Sequence, residues 1–346
     1  MPDEVSRRAR LRGGLGRLFR PDGPEMEAAL EEVEERHRHA ERTFTDMAEV
    51  EDLPFDEFNP ESHLAPGVPR LRTLLVALAA KAAGPGDADP TDVAHVAEFL
   101  HLAVVIHDTA LGRQSGRRRR VARRLLGGAA HWLGGNHLTL RALELARAVP
   151  TPEVMGEVIE TMREISEGQL LSEELRHRDA SLEDYIEYAE NHSGAIYSFC
   201  ARAGAQISRA DRGVTGALGR FGRHLGVAWH AVDDLWLFEQ DADELSHHLA
   251  RRTAMGRPVL PIIKAMEVDS SVDEVVDRLC DGEEAAAAEL LELVKRGGGL
   301  NATRQLMVER SLAAKRTLRA VPASPYRDLL ERVAVGMSRG GHAEVG

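Results

Sequence analysis

The chain has 346 residues, of which 43% are hydrophobic and only 4% aromatic, and it carries a formal net charge of −12. That acidic balance argues against nucleic acid as the partner of the folded body. Apolar content drawn mainly from Ala, Leu and Val favours helix over sheet. Basic charge is carried mostly by arginine, since lysine occurs only at 81, 264, 295 and 315. The two cysteines, Cys200 and Cys280, are too far apart for a CxxC metal knuckle and make no disulfide framework, so a reducing cytoplasm is expected. No stretch reaches the roughly eighteen uninterrupted apolar residues that a membrane-spanning helix needs.

In chain order, the opening MPDEVSRRARLRGGLGRLFRPDG is Arg-rich and lacks an apolar signal core. Residues 1–24 are read as a disordered arm, the alternative being a peripheral membrane anchor or a docking peptide for a partner. A charged, helix-favouring segment from Glu25 to Val50 follows, then the acidic connector EDLPFDEFNPESHLAPGVP. Together they make a unit over 25–65, ahead of a helical domain over 66–340. Within that domain, apolar helical patterns separated by Gly, Pro and Asp predict helices over 70–83, 91–110, 117–148, 152–175, 181–206 and 211–238. Further patterns cover 258–268, 271–280, 283–296, 302–319 and 324–338. Starts such as DPTDVAHV, TPEVMGE, SLEDYIE and SSVDEVV carry capping residues with acids in the first turn. Strand-like alternation is absent, and the helices are apolar enough to predict an all-α, multi-helix bundle with a deep core.

Several polar residues interrupt that core. The segment VAEFLHLAVVIHDTALGR places His101, His107 and Asp108 on an apolar helix. APGVPRLRT lies upstream of it, and EGQLLSEEL, ENHSGAIYSFCARAGAQIS, FGRHLGVAWHAVDDLWL and MGRPVLPIIKAME lie downstream. Asp233 and Asp234 sit in the fourth of these among Trp229, Leu235, Trp236 and Leu237, where carboxylates are costly unless a cation or donor meets them. Trp229 and Trp236 are seven apart on one helix face and are expected in the core. The order and spacing of these pieces, from about Pro66 to Glu267, resemble the trans-isoprenyl diphosphate synthases, the polyprenyl synthetase family.

The resemblance implies an isoprenoid-synthase-type bundle around a central cavity. It also implies two DDxxD motifs that hold Mg²⁺ on an allylic diphosphate, whose departure leaves a carbocation for isopentenyl diphosphate to attack. Such a leaving group needs divalent cations held by hard oxygens, with Arg and Lys completing the clamp. By this resemblance Asp108, Asp233 and Asp234 are the metal-binding positions. Arg70, Arg72, His101, Arg117, Gln169, His192, His230 and Arg257 are the diphosphate or substrate positions, and Ala103 and Val104 line the chain-length pocket.

The departures are as informative. In the first motif Thr109 replaces the second aspartate and no acid holds the fifth position; in the second, Leu237 replaces the last aspartate. Pro69, His192, His230 and His247 stand where the family has lysine, lysine, glutamine and lysine, and Arg252 stands where it has aspartate. His192, His230 and His247 beside Asp233 and Asp234 offer an alternative site for a softer metal such as Zn²⁺. The function implied is a polyprenyl-synthetase-like protein with degenerate sites, weakly active or a non-catalytic partner or regulatory subunit. The alternative is a divergent Mg²⁺-dependent prenyltransferase or terpene-synthase-like enzyme. Partners implied are prenyl diphosphates and a second subunit, as homodimer or as heteromer with an intact prenyl synthase.

Overall fold

A computed structural model describes residues 23–50, 71–84, 86, 88–111, 119–175, 180–238, 249, 257–281, 283 and 285–339; the side chains of 45, 46, 48–50, 109–131 and 280 lie outside that description. The fold is all-α, with no strand among the described residues. The first helices are α1 (Pro24–Val50), α2 (Leu71–Ala83), α3 (Thr91–Leu111), α4 (Arg119–Ala148) and α5 (Glu153–Glu174). Next come α6 (Leu182–Ala189), a π-helical turn (Glu190–Gly194), α7 (Ala195–Ile207) and α8 (Arg212–Leu237). The remainder is α9 (Leu260–Met266), α10 (Ser271–Cys280), α11 (Ala286–Arg296), α12 (Gly299–Thr317), a 3₁₀ turn (Leu318–Ala320) and α13 (Pro325–Met337).

Helix α7 is the axis of the bundle, with α2 and α8 packed along it and α12 covering the far side of α8. It can be central because it is small-residue-rich and buried over nearly all its length. A Cβ at Gly222 would lie 2.1 Å from the Tyr197 carbonyl oxygen, and one at Gly226 would lie 2.6 Å from that of Ser193. These two glycines therefore set how closely α8 approaches α7 and the π turn. The main core joins Leu74, Leu75, Phe99, Leu100, Phe199, Phe221 and Leu225, each at most 2% exposed. At about 1.5–3 kcal/mol per large apolar side chain, this cluster dominates the favourable side of folding. A smaller core under α9, α10 and α11 contains Leu237, Val259, Ile262, Val272 and Leu290.

The helix starts show where local chemistry departs from the sequence expectation. SLEDYIE caps as expected: Ser181 Oγ accepts from the Asp184 N–H at 3.1 Å, and the Asp184 carboxylate accepts from the Ser181 N–H at 2.8 Å. TPEVMGE does not, because α5 has no side-chain cap. DPTDVAHV also caps, through its first residue: Asp89 takes the Thr91 N–H, whereas ahead of α10 the acceptor is Asp269, upstream of SSVDEVV, which takes the Ser271 N–H, both at 3.0 Å. Helix α12 begins three residues earlier than its apolar pattern, because Gly298 adopts a left-handed φ of +74° that launches the helix at Gly299. Of the two tryptophans expected in the core, Trp229 is partly buried and stacks on Tyr197 with centroids 6.4 Å apart, whereas Trp236 is 36% exposed. No helix among the described residues is long and apolar enough to cross a membrane. The Arg-rich arm up to residue 22 and the connector over 51–70 lie outside the described residues.

Candidate functional site

Asp108 lies near the C-terminal end of α3, a helix buried on most sides, so its carboxylate points into protein and must be satisfied there. Three elements distant in sequence supply the donors. From α5, Gln169 Nε2 donates to Oδ1 at 2.9 Å. From the π turn, His192 Nε2 donates to Oδ2, 3.1 Å away. The guanidinium of Arg257, just ahead of α9, also donates to Oδ2. Burial alone would raise the Asp108 carboxyl, but the Arg257 charge and the His192 and Gln169 hydrogen bonds outweigh it and hold it well below the usual carboxylate range. Burial likewise opposes the charge on Arg257, and the carboxylates of Asp108 and Asp233 more than restore it.

Local sequence explains why these donors converge. Gly168 lets α5 approach the π turn, since a Cβ there would lie 3.0 Å from the Asn191 Cβ. The π turn widens the backbone between α6 and α7 and carries His192 and Ser193, the sort of local irregularity often found at functional sites. Ser193 Oγ lies 2.9 Å from His230 Nδ1 and 3.4 Å from His192 Nδ1, which links the two histidines. Tyr188 stacks on His192 at 5.3 Å and meets His230 edge-on at 5.5 Å, while Tyr185 packs against His230 at 5.6 Å. Tyr185, Tyr188 and Ser193 were not singled out from sequence. The available signal was the pair of tyrosines three apart on a short amphipathic helix running straight into ENHSG.

The second aspartate pair divides its roles. Asp234 is fully buried, and its Oδ2 accepts the Leu260 N–H at 3.1 Å, which satisfies the first turn of α9. Asp233 is half-buried on the same helix and acts electrostatically on Arg257. Arg72 is committed elsewhere. Its Nε and Nη2 donate to Glu98 Oε1 and Oε2 at 3.2 and 2.8 Å, and Thr73 Oγ1 donates to Oε1 at 3.2 Å. His101 follows Glu98 by about one turn on α3 and is half-buried, while Ala103 and Val104 are buried on that helix. Arg70, Arg117, His247 and Arg252 lie outside the described residues.

Both oxygens of Asp108 already accept N–H donors, one oxygen of Asp234 is spent on α9, and Thr109 and Leu237 supply no carboxylate. Among the described residues no three of His, Cys, Asp or Glu converge on a common point. These residues do not fit a Mg²⁺ cluster in the arrangement seen. The zinc expectation is not met either: His192 turns to Asp108 and His230 to Ser193, while His247 lies outside the described residues.

An all-α bundle in which Asp108 of α3, His192 of the π turn and Arg257 meet in the interior, with a second aspartate pair on α8, has the layout expected of an isoprenoid synthase. Comparison with known proteins agrees. The family model for polyprenyl synthetase matches residues 59–296, and the chain belongs to that family. It is 29% identical to the octaprenyl diphosphate synthase of Escherichia coli over 84% of this chain and 94% of that one. It is 27% identical to a short chain isoprenyl diphosphate synthase of Methanothermobacter thermautotrophicus over 79% of this chain and 87% of the other. Among solved structures, a polyprenyl synthase from Caulobacter crescentus, complexed with calcium and isoprenyl diphosphate, superposes with a TM-score of 0.69. It shows 28% identity and covers 89% of this chain and 98% of its own. A decaprenyl diphosphate synthase from Rhodobacter capsulatus, at 22% identity and a TM-score of 0.66 over 91% and 99% of the two chains, supports the fold alone.

Proposed function

We propose that this chain is a polyprenyl-synthetase-like protein with little or no prenyl transfer of its own, serving as a partner or regulatory subunit for an intact prenyl synthase in the cytoplasm. The observation that carries this reading is the saturation of Asp108 by Gln169, His192 and Arg257. Ionising an allylic diphosphate calls for carboxylates free to hold divalent cations, and here the first-motif aspartate is spent on protein donors. The chain retains groups suited to prenyl diphosphates: His101 and, by resemblance, Arg70 and Arg117 for phosphate oxygens, and the small Ala103 beside Val104 for a prenyl chain. Exposed Leu133, Leu140, Ile159 and Leu170 on α4 and α5 offer an apolar surface for a second subunit, whether a copy of this chain or an intact synthase.

A second reading is favoured by the near full-length similarity to chains named as synthases. In it the protein is a divergent Mg²⁺-dependent prenyltransferase, with Asp108 and Asp233 released from their present partners when substrate arrives. The two readings part in one assay. The protein is incubated with Mg²⁺, isopentenyl diphosphate and allylic diphosphates of several lengths, alone and mixed with a synthase that has both motifs intact. The subunit reading predicts no product alone and a changed product length or rate in the mixture. Product formed alone and lost in Asp233→Asn supports the enzyme reading.

A further inference from the structure

Arg257 occupies a position that its neighbours have built for it. Its guanidinium donates to Asp108 on α3, and the negative charge of Asp233 on α8 supports its own. The backbone that delivers it is fixed. Pro258 and Val259 are buried, and Asp234 on α8 accepts the N–H of Leu260, three residues further on. One aspartate of the second motif thus holds the arm, and the arm's arginine neutralises the aspartate of the first.

We infer that Arg257 is the site's built-in counter-cation, held in place by Asp234, so that the ligand-free centre takes no divalent metal ion. A guanidinium is always charged and presents a rigid fork of donors, which suits a carboxylate that also accepts from His192 and Gln169. An incoming Mg²⁺ must shed water, displace that fork and then sit beside a half-buried positive charge. Asp108 supplies the only first-motif carboxylate to compensate it, since Thr109 follows and no acid holds the fifth position. The centre has become an internal ion-pair latch that ties α3, α5, the π turn and the segment leading into α9.

This inference shares the site with the functional reading, but its test involves no turnover. Mn²⁺ is titrated into the purified full chain and free ion is followed by electron paramagnetic resonance, for the wild type, Asp108→Asn, Arg257→Gln and the Arg257→Gln/Asp108→Asn double variant. Glutamine keeps an N–H donor for Asp108 while removing the charge. The wild type is expected to bind no Mn²⁺ at sub-millimolar concentration. Arg257→Gln is expected to gain one ion, at least about tenfold tighter than wild type, because a unit positive charge a few ångström away is gone. The double variant is expected to lose it. Stoichiometric Mn²⁺ on the wild type that Asp108→Asn abolishes overturns the inference, and this arm decides even if Arg257→Gln fails to fold. A folded Arg257→Gln that gains no ion overturns it as well. Metal that enters only together with a diphosphate and supports turnover would sink the subunit reading and leave this one standing.

Discussion

Asp234 is the residue whose role changes most between sequence and structure. Its place in an apolar run with Asp233 suggests a metal ligand, yet its carboxylate is buried and accepts the first N–H of α9. Replacing it with alanine strands that donor in the interior and is expected to cost about 2 kcal/mol of unfolding free energy. Asp234→Asn keeps a carbonyl oxygen for the same N–H and is expected to cost clearly less; equal losses in urea denaturation would contradict the capping role. Asp108 itself was legible, because a carboxylate on so apolar a helix has to be satisfied by something. Its partners were only partly so. Gln169 and Arg257 fell in segments that matched the family's order, but 61 and 149 residues separate them from Asp108, and no local pattern encodes such a pairing. Arg72 shows the converse: it was read as facing a diphosphate, and its fork is instead closed on Glu98, an acid that periodicity alone marks only as a polar break in a core helix.

At the level of elements, the 3.6-residue apolar pattern located the helices well, because each helix had a buried face to declare. What it missed were ends that depend on single acceptors and backbone angles: Asp269 as a displaced cap, and the left-handed Gly298 before α12. The π turn was equally invisible, since one extra residue in a helical turn leaves no compositional trace. Helix α8 offers a direct test of close packing. Gly222→Ala drives a methyl group onto the Tyr197 backbone, which cannot move aside as a side chain can, and is expected to destabilise the fold by about 2–3 kcal/mol. Gly216, on the same helix, has only the flexible end of Arg220 within reach of a Cβ, at 3.5 Å. Gly216→Ala should therefore leave stability unchanged or raise it by up to about 1 kcal/mol through helix propensity. Matching losses at the two positions would contradict the packing argument.

Across the whole molecule, buried or half-buried histidines, His95 and His224 among them, tie stability to pH. Burial pushes His95 below its ordinary 6.5; its Nε2 lies 3.0 Å from both the Ala40 carbonyl and the Thr43 hydroxyl, joining α3 to α1. His224 on α8 is lowered by burial and by Arg310, Arg316 and Arg220, with Glu190 opposing. Both pKa values are lower in the folded state than in the unfolded one, so the unfolded chain takes up protons first as pH falls. Stability is then full above about pH 6.5 and declines as pH drops from there through the folded-state values. Urea midpoints between about pH 8 and pH 5.5 should fall accordingly, with a shallower slope in His95→Gln; a flat profile would contradict the account. The same molecule keeps the polyprenyl synthetase fold while committing Asp108 and Asp234 to its own N–H donors. The most direct test of that claim is incorporation of labelled isopentenyl diphosphate by the purified chain alone, with Mg²⁺ and an allylic diphosphate in excess. The account predicts no prenyl product above the level without protein; sustained Mg²⁺-dependent product formation by the chain alone would contradict it.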